Sequence, residues 1–328
     1  MLELAITAIL LALFFDFING FHDAANSIAT IIATRVLKPI HAVSLAAAAN
    51  FIGPFLFGVA VATTIAKGII NPDFVTIEII LGALVGAIVW NLITWFWGLP
   101  SSSSHALIGG VIGAGIAGAG THAILFDGLT KVGMGIIISP VVGLIGAFLL
   151  ASLLITIFAK RKPTPVNSIF GKLQLVSATY FSLTHGANDG QKTMGVIALI
   201  LLIEGIIPHF EVPFYVIFIS ALAISLGTFF GGWRIVKTMA VKITHLKPYQ
   251  GFAAETGGAT VLAGLALAGI PASTTHAISG AIMGAGAVRR MSAVRWGIGK
   301  RIVWAWIITI PASAAVGYVI TILIKLIS

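Results

Sequence analysis

Two aspartates, Asp23 and Asp189, stand inside apolar stretches of membrane-spanning length, and the rest of the chain must fold so as to shelter them. The first lies in Gly20-Phe21-His22-Asp23-Ala24-Ala25-Asn26-Ser27. The second lies in Gly186-Ala187-Asn188-Asp189-Gly190-Gln191-Lys192-Thr193. An ionisable group at the bilayer centre costs about 2.5–3.5 kcal/mol on insertion scales, so two at matching places mark a functional site by default.

That the surroundings are a bilayer follows from composition. Of the 328 residues 58% are hydrophobic and only 9% charged, against about a quarter charged in soluble domains. The apolar stretches are broken by Gly, Pro, Ser and Thr rather than by alternation, which fits helices and not barrel strands. An all-α polytopic membrane protein is expected. The formal charge of +9 is better explained by basic cytoplasmic loops than by nucleic acid, and no nucleic-acid partner is expected. With no cysteine, disulfides and thiolate metal sites are excluded. Leu4 to Phe17 has no basic start or cleavage site, so it reads as a retained membrane helix rather than a signal peptide.

Self-comparison reveals a duplication. Asp23 and Asp189 are 166 apart (189 − 23), as are Gly20 and Gly186. Pro100-Ser101-Ser102-Ser103-Ser104-His105 recurs 171 residues on (271 − 100) as Pro271-Ala272-Ser273-Thr274-Thr275-His276. Gly109, Gly113 and Gly115 match Gly280, Gly284 and Gly286 in the same way. The expected organisation is a first transmembrane repeat over 1–159, a basic cytoplasmic junction over 160–172 and a second repeat over 173–328.

Ten apolar units are expected: 2–35 and 167–206, each interrupted at its aspartate, then 40–67, 77–98, 101–119, 131–159, 212–230, 250–270, 271–288 and 297–327. A helix over 104–119 reaches only ~24 Å at ~1.5 Å per residue, short of a ~30 Å hydrocarbon core. Residues 77–119 and 250–288 are therefore read as re-entrant helical hairpins with their Pro-Ser tips inside the membrane. Each half then crosses three times, and the second repeat is inverted, with discontinuous helices as in many secondary transporters. Placing Arg35, Lys38, Lys160 to Lys162, Lys172, Arg234 to Lys247 and Arg289 to Arg301 in the cytoplasm puts loops 67–78 and 204–213, and both termini, outside. Five crossings per half give the same parity.

Each Pro-hydroxyl tip reads as a helix start, where serine or threonine caps free N–H groups and the dipole offers an anion site. Two such ends, carrying Ser102, Ser103 and Ser104 and Ser273, Thr274 and Thr275, suit a tetrahedral oxyanion gripped from both sides. Packing alone is the plainer account of one such tip, but not of two with matching Pro, His and Gly. Asp23 and Asp189, flanked by His22, Asn26 and Ser27 and by Asn188, Gln191 and Thr193, offer hard ligands for a small cation, helped by carbonyls of unwound backbone. Anion and carboxylates in one place repel unless cations lie between them, which argues for co-transport. A structural alternative pairs an aspartate with Lys192 or a histidine. Lys192 stands where the first half has Asn26 (192 − 166), an asymmetry that brings an ammonium near the anion. His105 and His276 are expected to hydrogen-bond and so close their loops. Glu255, in an apolar unit, is left open between pairing with Lys192, relaying a proton and lining the pathway; Asp16 is equally open.

The motifs resemble those of the inorganic phosphate transporter family usually called PiT. Gly186-Ala187-Asn188-Asp189 matches its signature, Gly20-Phe21-His22-Asp23 varies it, and both Pro-hydroxyl-His tips and Gly251-Phe252-Ala253-Ala254-Glu255 are similar. The second motif departs from the usual Val-Ala-Asn continuation with Gly190-Gln191-Lys192, and a large central loop is lacking. The resemblance implies inorganic phosphate as substrate, sodium ions as co-transported partners with no organic cofactor, residence in the lipid bilayer of the cell membrane, and a homodimer. It implies phosphate contacts at Ser102, Ser103, Ser104, Ser273, Thr274, Thr275, Gln191, Lys192, Thr193 and Asn26. Sodium ligands would be Asp23, Asp189, Asn188, Asn26 and Ser27, with His22, Glu255, His105 and His276 in support. Proton coupling and sulfate are the near alternatives. An intramembrane hydrolase is disfavoured by two symmetrical half-sites where a nucleophile needs one base, and a channel by the paired-end clamp.

Overall fold

The computed structural model describes residues 2–327, the side chain of Leu2 excepted. Among the described residues are twelve α-helices: α1 Leu2–Thr34, α2 Pro39–Ile52, α3 Ala60–Lys67, α4 Ile77–Trp97, α5 Ser103–Ala119, α6 Phe126–Phe158, α7 Pro163–Ile203, α8 Phe214–Phe230, α9 Trp233–Lys237, α10 Pro248–Leu267, α11 Thr274–Ala287 and α12 Trp296–Ile327. A single β-bridge, Ile70 with Ile124, is the only sheet pairing among the described residues. Helices α1, α4, α6 and α12 are long and apolar enough to cross a membrane. The 41-residue α7 reaches ~62 Å at ~1.5 Å per residue, although its polar stripe lowers its mean hydropathy.

The expected breaks at the aspartates are not found. Both α1 and α7 run unbroken through their motifs. Asp23, Asn26, Asp189, Gln191 and Lys192 find hydrogen-bond partners sideways on other helices, while the backbone of both helices stays continuous and frees no carbonyl for a cation. Bends occur elsewhere, of 77° between the α2 segment and α3 and of 57° between α8 and the helical segment Trp233–Lys242 that contains α9. Within the stretch expected as the basic junction, Pro163 starts α7 and residues 163–172 are helix.

The motif glycines have a packing reason. A Cβ on Gly20 of α1 would overlap the carbonyl of Ile224 on α8, and one on Gly186 of α7 would overlap that of Asn50 on α2. Each glycine thus seats its motif helix against the backbone of a neighbour, and the neighbours α8 and α2 are themselves counterparts in the duplication. Gly20→Ala and Gly186→Ala are each expected to destabilise the protein by about 1–3 kcal/mol through overpacking. Thermal melting in detergent measures this, and an unchanged midpoint in both variants contradicts the tight crossings.

The two halves interlock through their hairpins. Gly109 and Gly113 of α5 lie against Ile310 and Ala314 of α12, while Gly280 and Gly284 of α11 lie against Pro140 and Leu144 of α6. Each short helix therefore packs on the last long helix of the other half. On its opposite face α6 exposes Ile137, Val141, Ile145, Leu149, Leu153 and Ile157, an apolar stripe of four-residue period suited to lipid. Gly98, at φ 63°, ends α4 in the left-handed conformation that glycine adopts without strain. Pro100 follows, and Ser102 caps α5.

Candidate functional site

Both hairpin tips end inside the protein. Ser102 accepts a hydrogen bond from the His105 N–H at 3.3 Å and Ser273 from the His276 N–H at 3.2 Å, so these two hydroxyls cap α5 and α11 as expected. The tips meet directly, with Ser104 Oγ donating to the Ala272 carbonyl at 3.2 Å. His105 and His276 depart from expectation: Nδ1 of His105 and both ring nitrogens of His276 have no hydrogen-bond partner. The rings instead meet edge to face at 4.4 Å, and His276 stacks on Trp306 at 3.8 Å. Trp306 donates its Nε1–H to the Pro100 carbonyl at 3.0 Å. Aromatic packing, not hydrogen bonding to the loops, locks the two tips together.

The tips meet the aspartate helices at one place. Thr274 donates to Asp189 Oδ2 at 3.1 Å and Thr275 to Asp23 Oδ1 at 3.4 Å, so successive threonines at the start of α11 touch both carboxylates. Asn26 donates from Nδ2 to Thr275 at 2.9 Å and Thr274 at 3.2 Å. Lys192 donates to Asp189 and to Ser104, tying α7 to the α5 tip. Asp23, Asn26, Asp189, Lys192, Ser104, Thr274 and Thr275 are at most 2% exposed. The N-terminal ends of α5 and α11 bring partial positive charge to the same point.

A cation has suitable ligands here. Asp23, His185 and Asp189 each present a possible ligand atom, all within 4.8 Å of one another. Asn26 Oδ1, Ser27 Oγ and Asn188 Oδ1 are buried with no hydrogen-bond partner, and such orphaned oxygens are what a hard cation satisfies. His22 lies beside this group, with Nδ1 2.7 Å from Asp23 Oδ1 and Nε2 3.1 Å from Thr94 Oγ1. His185 is not among the residues that the sequence motifs single out. Its Nε2 is 3.3 Å from Asp189 Oδ2, and its Nδ1 is 3.0 Å from Asn50 Oδ1. A signal was available, because a polar residue precedes the motif glycine in both halves, Asn19 in one and His185 in the other.

Other residues considered from sequence lie apart from this group or show no contact with it. Gln191 Oε1 accepts from the N–H groups of Val61 at 2.9 Å and Ala62 at 3.4 Å, so it holds the start of α3. Ser103 Oγ is buried and unpartnered. Thr193 faces Asp16. Glu255 does not pair with Lys192: it accepts from Thr30 Oγ1 at 2.5 Å, from Gln174 Nε2 at 2.9 Å and from Ser177. That places it at a separate polar group, two turns beyond Asp23 along α1.

A family model described as "Phosphate transporter family" matches the chain twice, over residues 19–166 and 159–317. A "Probable low-affinity inorganic phosphate transporter" of Rhizobium meliloti (strain 1021) is 54% identical, over 95% of this chain and 94% of that protein. A protein of the same description from Bacillus subtilis (strain 168) is 44% identical, over 97% and 96%. A solved structure, "The sodium-dependent phosphate transporter", superposes with a TM-score of 0.89 at 28% identity, over 99% of this chain and all of that one.

Proposed function

The chain belongs to the phosphate transporter family, and on that premise we propose that it carries inorganic phosphate into the cell together with sodium ions by alternating access. The observation that carries this reading is the convergence of two hydroxyl-bearing helix starts on two buried carboxylates and an ammonium: Thr274 and Thr275 donate to Asp189 and Asp23, and Ser104 accepts from Lys192. Hydroxyls and first-turn N–H groups of both tips donate to phosphate oxygens, and Lys192 adds a fixed positive charge. Sodium ions lie against Asp23 and Asp189, with Asn26, Ser27 and Asn188 supplying neutral oxygens. The ions screen the carboxylates from the anion, so each species strengthens binding of the other.

The duplication supports two repeats of opposite orientation, each hairpin re-entering the membrane and packing against the other repeat. Rocking of one interlocked half against the other then opens the buried site to either side in turn. The loop charges favour extracytoplasmic termini in the cell membrane.

Uptake of labelled phosphate into proteoliposomes under an imposed sodium gradient, proton gradient or neither tests the reading. Sodium-driven accumulation is expected, and uptake indifferent to sodium overturns it. Proton coupling is the second reading, favoured by one observation: Lys192 already neutralises Asp189 where the first half has Asn26. Ser104→Ala with Thr275→Ala removes two donors to a charged ligand, each worth about 1.5–3 kcal/mol. The pair is expected to raise the phosphate Kd at least about a hundredfold. Isothermal titration of phosphate checks this, and an unchanged Kd removes the tips from the anion site.

A further inference from the structure

Along α1 the buried polar residues Asp16, Asn19, Asp23, Asn26 and Thr30 follow one another at intervals of three and four, one continuous stripe on a helix of 3.6 residues per turn. The site described above uses Asp23 and Asn26, and Thr30 serves Glu255. Asp16 lies seven residues from Asp23, ~10.5 Å along the helix at ~1.5 Å per residue, which is too far for one ion to touch both.

Asp16 is 0% exposed, and neither of its carboxylate oxygens has a hydrogen-bond partner. It faces Asn19 on its own helix and Thr193 on α7. Asn19 Oδ1 and Nδ2 and Thr193 Oγ1 are likewise buried and unpartnered. Three buried polar side chains thus adjoin one another, and none of their four oxygens makes a hydrogen bond of ordinary geometry. A buried carboxylate left in that condition is costly. The charged groups that act on it are Asp189 and Lys192 of α7. Lys192 is already committed to Asp189 and Ser104, while Asp189 adds negative potential.

We propose that Asp16, Asn19 and Thr193 form a further sodium site, separate from that at Asp23 and Asp189. A monovalent ion matches the single carboxylate, and hard oxygens exclude a soft metal. The lack of a hydrogen bond at either carboxylate oxygen favours an ion over a proton, because a protonated carboxyl donates to a neighbour at ~2.5–3.0 Å. Given the extracytoplasmic N-terminus of the proposed function, this site lies on the outer side of the phosphate position and an entering ion meets it first. The inference rests on the sodium-coupled reading for its role but not for its existence.

The test is equilibrium binding of ²²Na⁺ to the full-length protein in nanodiscs without phosphate, for wild type, Asp16→Asn and Asn19→Ala. Asp16→Asn is expected to bind one sodium fewer per chain, and Asn19→Ala to weaken one sodium by about tenfold, as losing one ligand worth ~1.4 kcal/mol does. Asp23→Asn keeps the Asp16 ion. An Asp16→Asn protein with the wild-type sodium count and affinity overturns the site, as does wild type that binds no sodium. Sodium-driven uptake with an unchanged count in Asp16→Asn defeats this inference alone. Sodium-independent uptake with a lost ion in Asp16→Asn defeats the coupled reading alone.

Discussion

Replacing Lys192 by methionine is expected to abolish phosphate transport and to destabilise the protein severely. The ammonium bonds Asp189 and Ser104 with no exposure to water. Removing one partner of a buried pair costs about 3–5 kcal/mol, because the other charge is left uncompensated. The double variant Lys192→Met with Asp189→Asn removes both charges together and should recover most of the stability. It should not recover transport, since the anion then lacks its fixed positive charge and the cation one of its carboxylates. Thermal melting and proteoliposome uptake, measured on the same preparations, separate the two effects. A double variant that transports normally shows the pair to be a structural tie.

The second large effect is expected from Asp23→Asn. The aspartate accepts from Thr275 and lies against His22, contacts that an asparagine can partly reproduce, so folding should be little disturbed. What changes is the coupled charge. Carrying one elementary charge through the membrane potential is worth ~2.3 kcal/mol per 100 mV, so losing one coupled cation lowers the limiting phosphate accumulation by ~50-fold at that voltage. Accumulation ratios in vesicles clamped at a fixed potential read this directly, and a wild-type ratio takes Asp23 out of the coupling.

Much of the site was legible in the sequence because it is written twice. Matching Pro, hydroxyl and His residues identified the tips, and the 166-residue spacing identified Asp23 and Asp189 as partners. The continuity of α1 and α7 was not legible. A glycine followed by polar residues in an apolar stretch reads as a break, yet Gly20 and Gly186 serve close helix crossings and leave the backbone intact. Nor does one chain's sequence reveal that Gln191 reaches α3, that Asn50 meets His185, or that Trp306 stacks on His276. Those contacts join residues more than 100 apart, or in the last case 30 apart across two helices, and depend on how the halves interlock. The stripe from Asp16 to Thr30 was visible in its three- and four-residue spacing, but only a continuous α1 makes that spacing meaningful.

In the proposed mechanism one buried site binds phosphate and sodium together. Its most direct test is the phosphate Kd of the wild-type protein measured over a range of sodium concentrations, paired with the sodium Kd measured with and without phosphate. Linkage requires that sodium tighten phosphate and phosphate tighten sodium by the same factor, and both shifts are predicted. Affinities for each species that ignore the other would contradict the account.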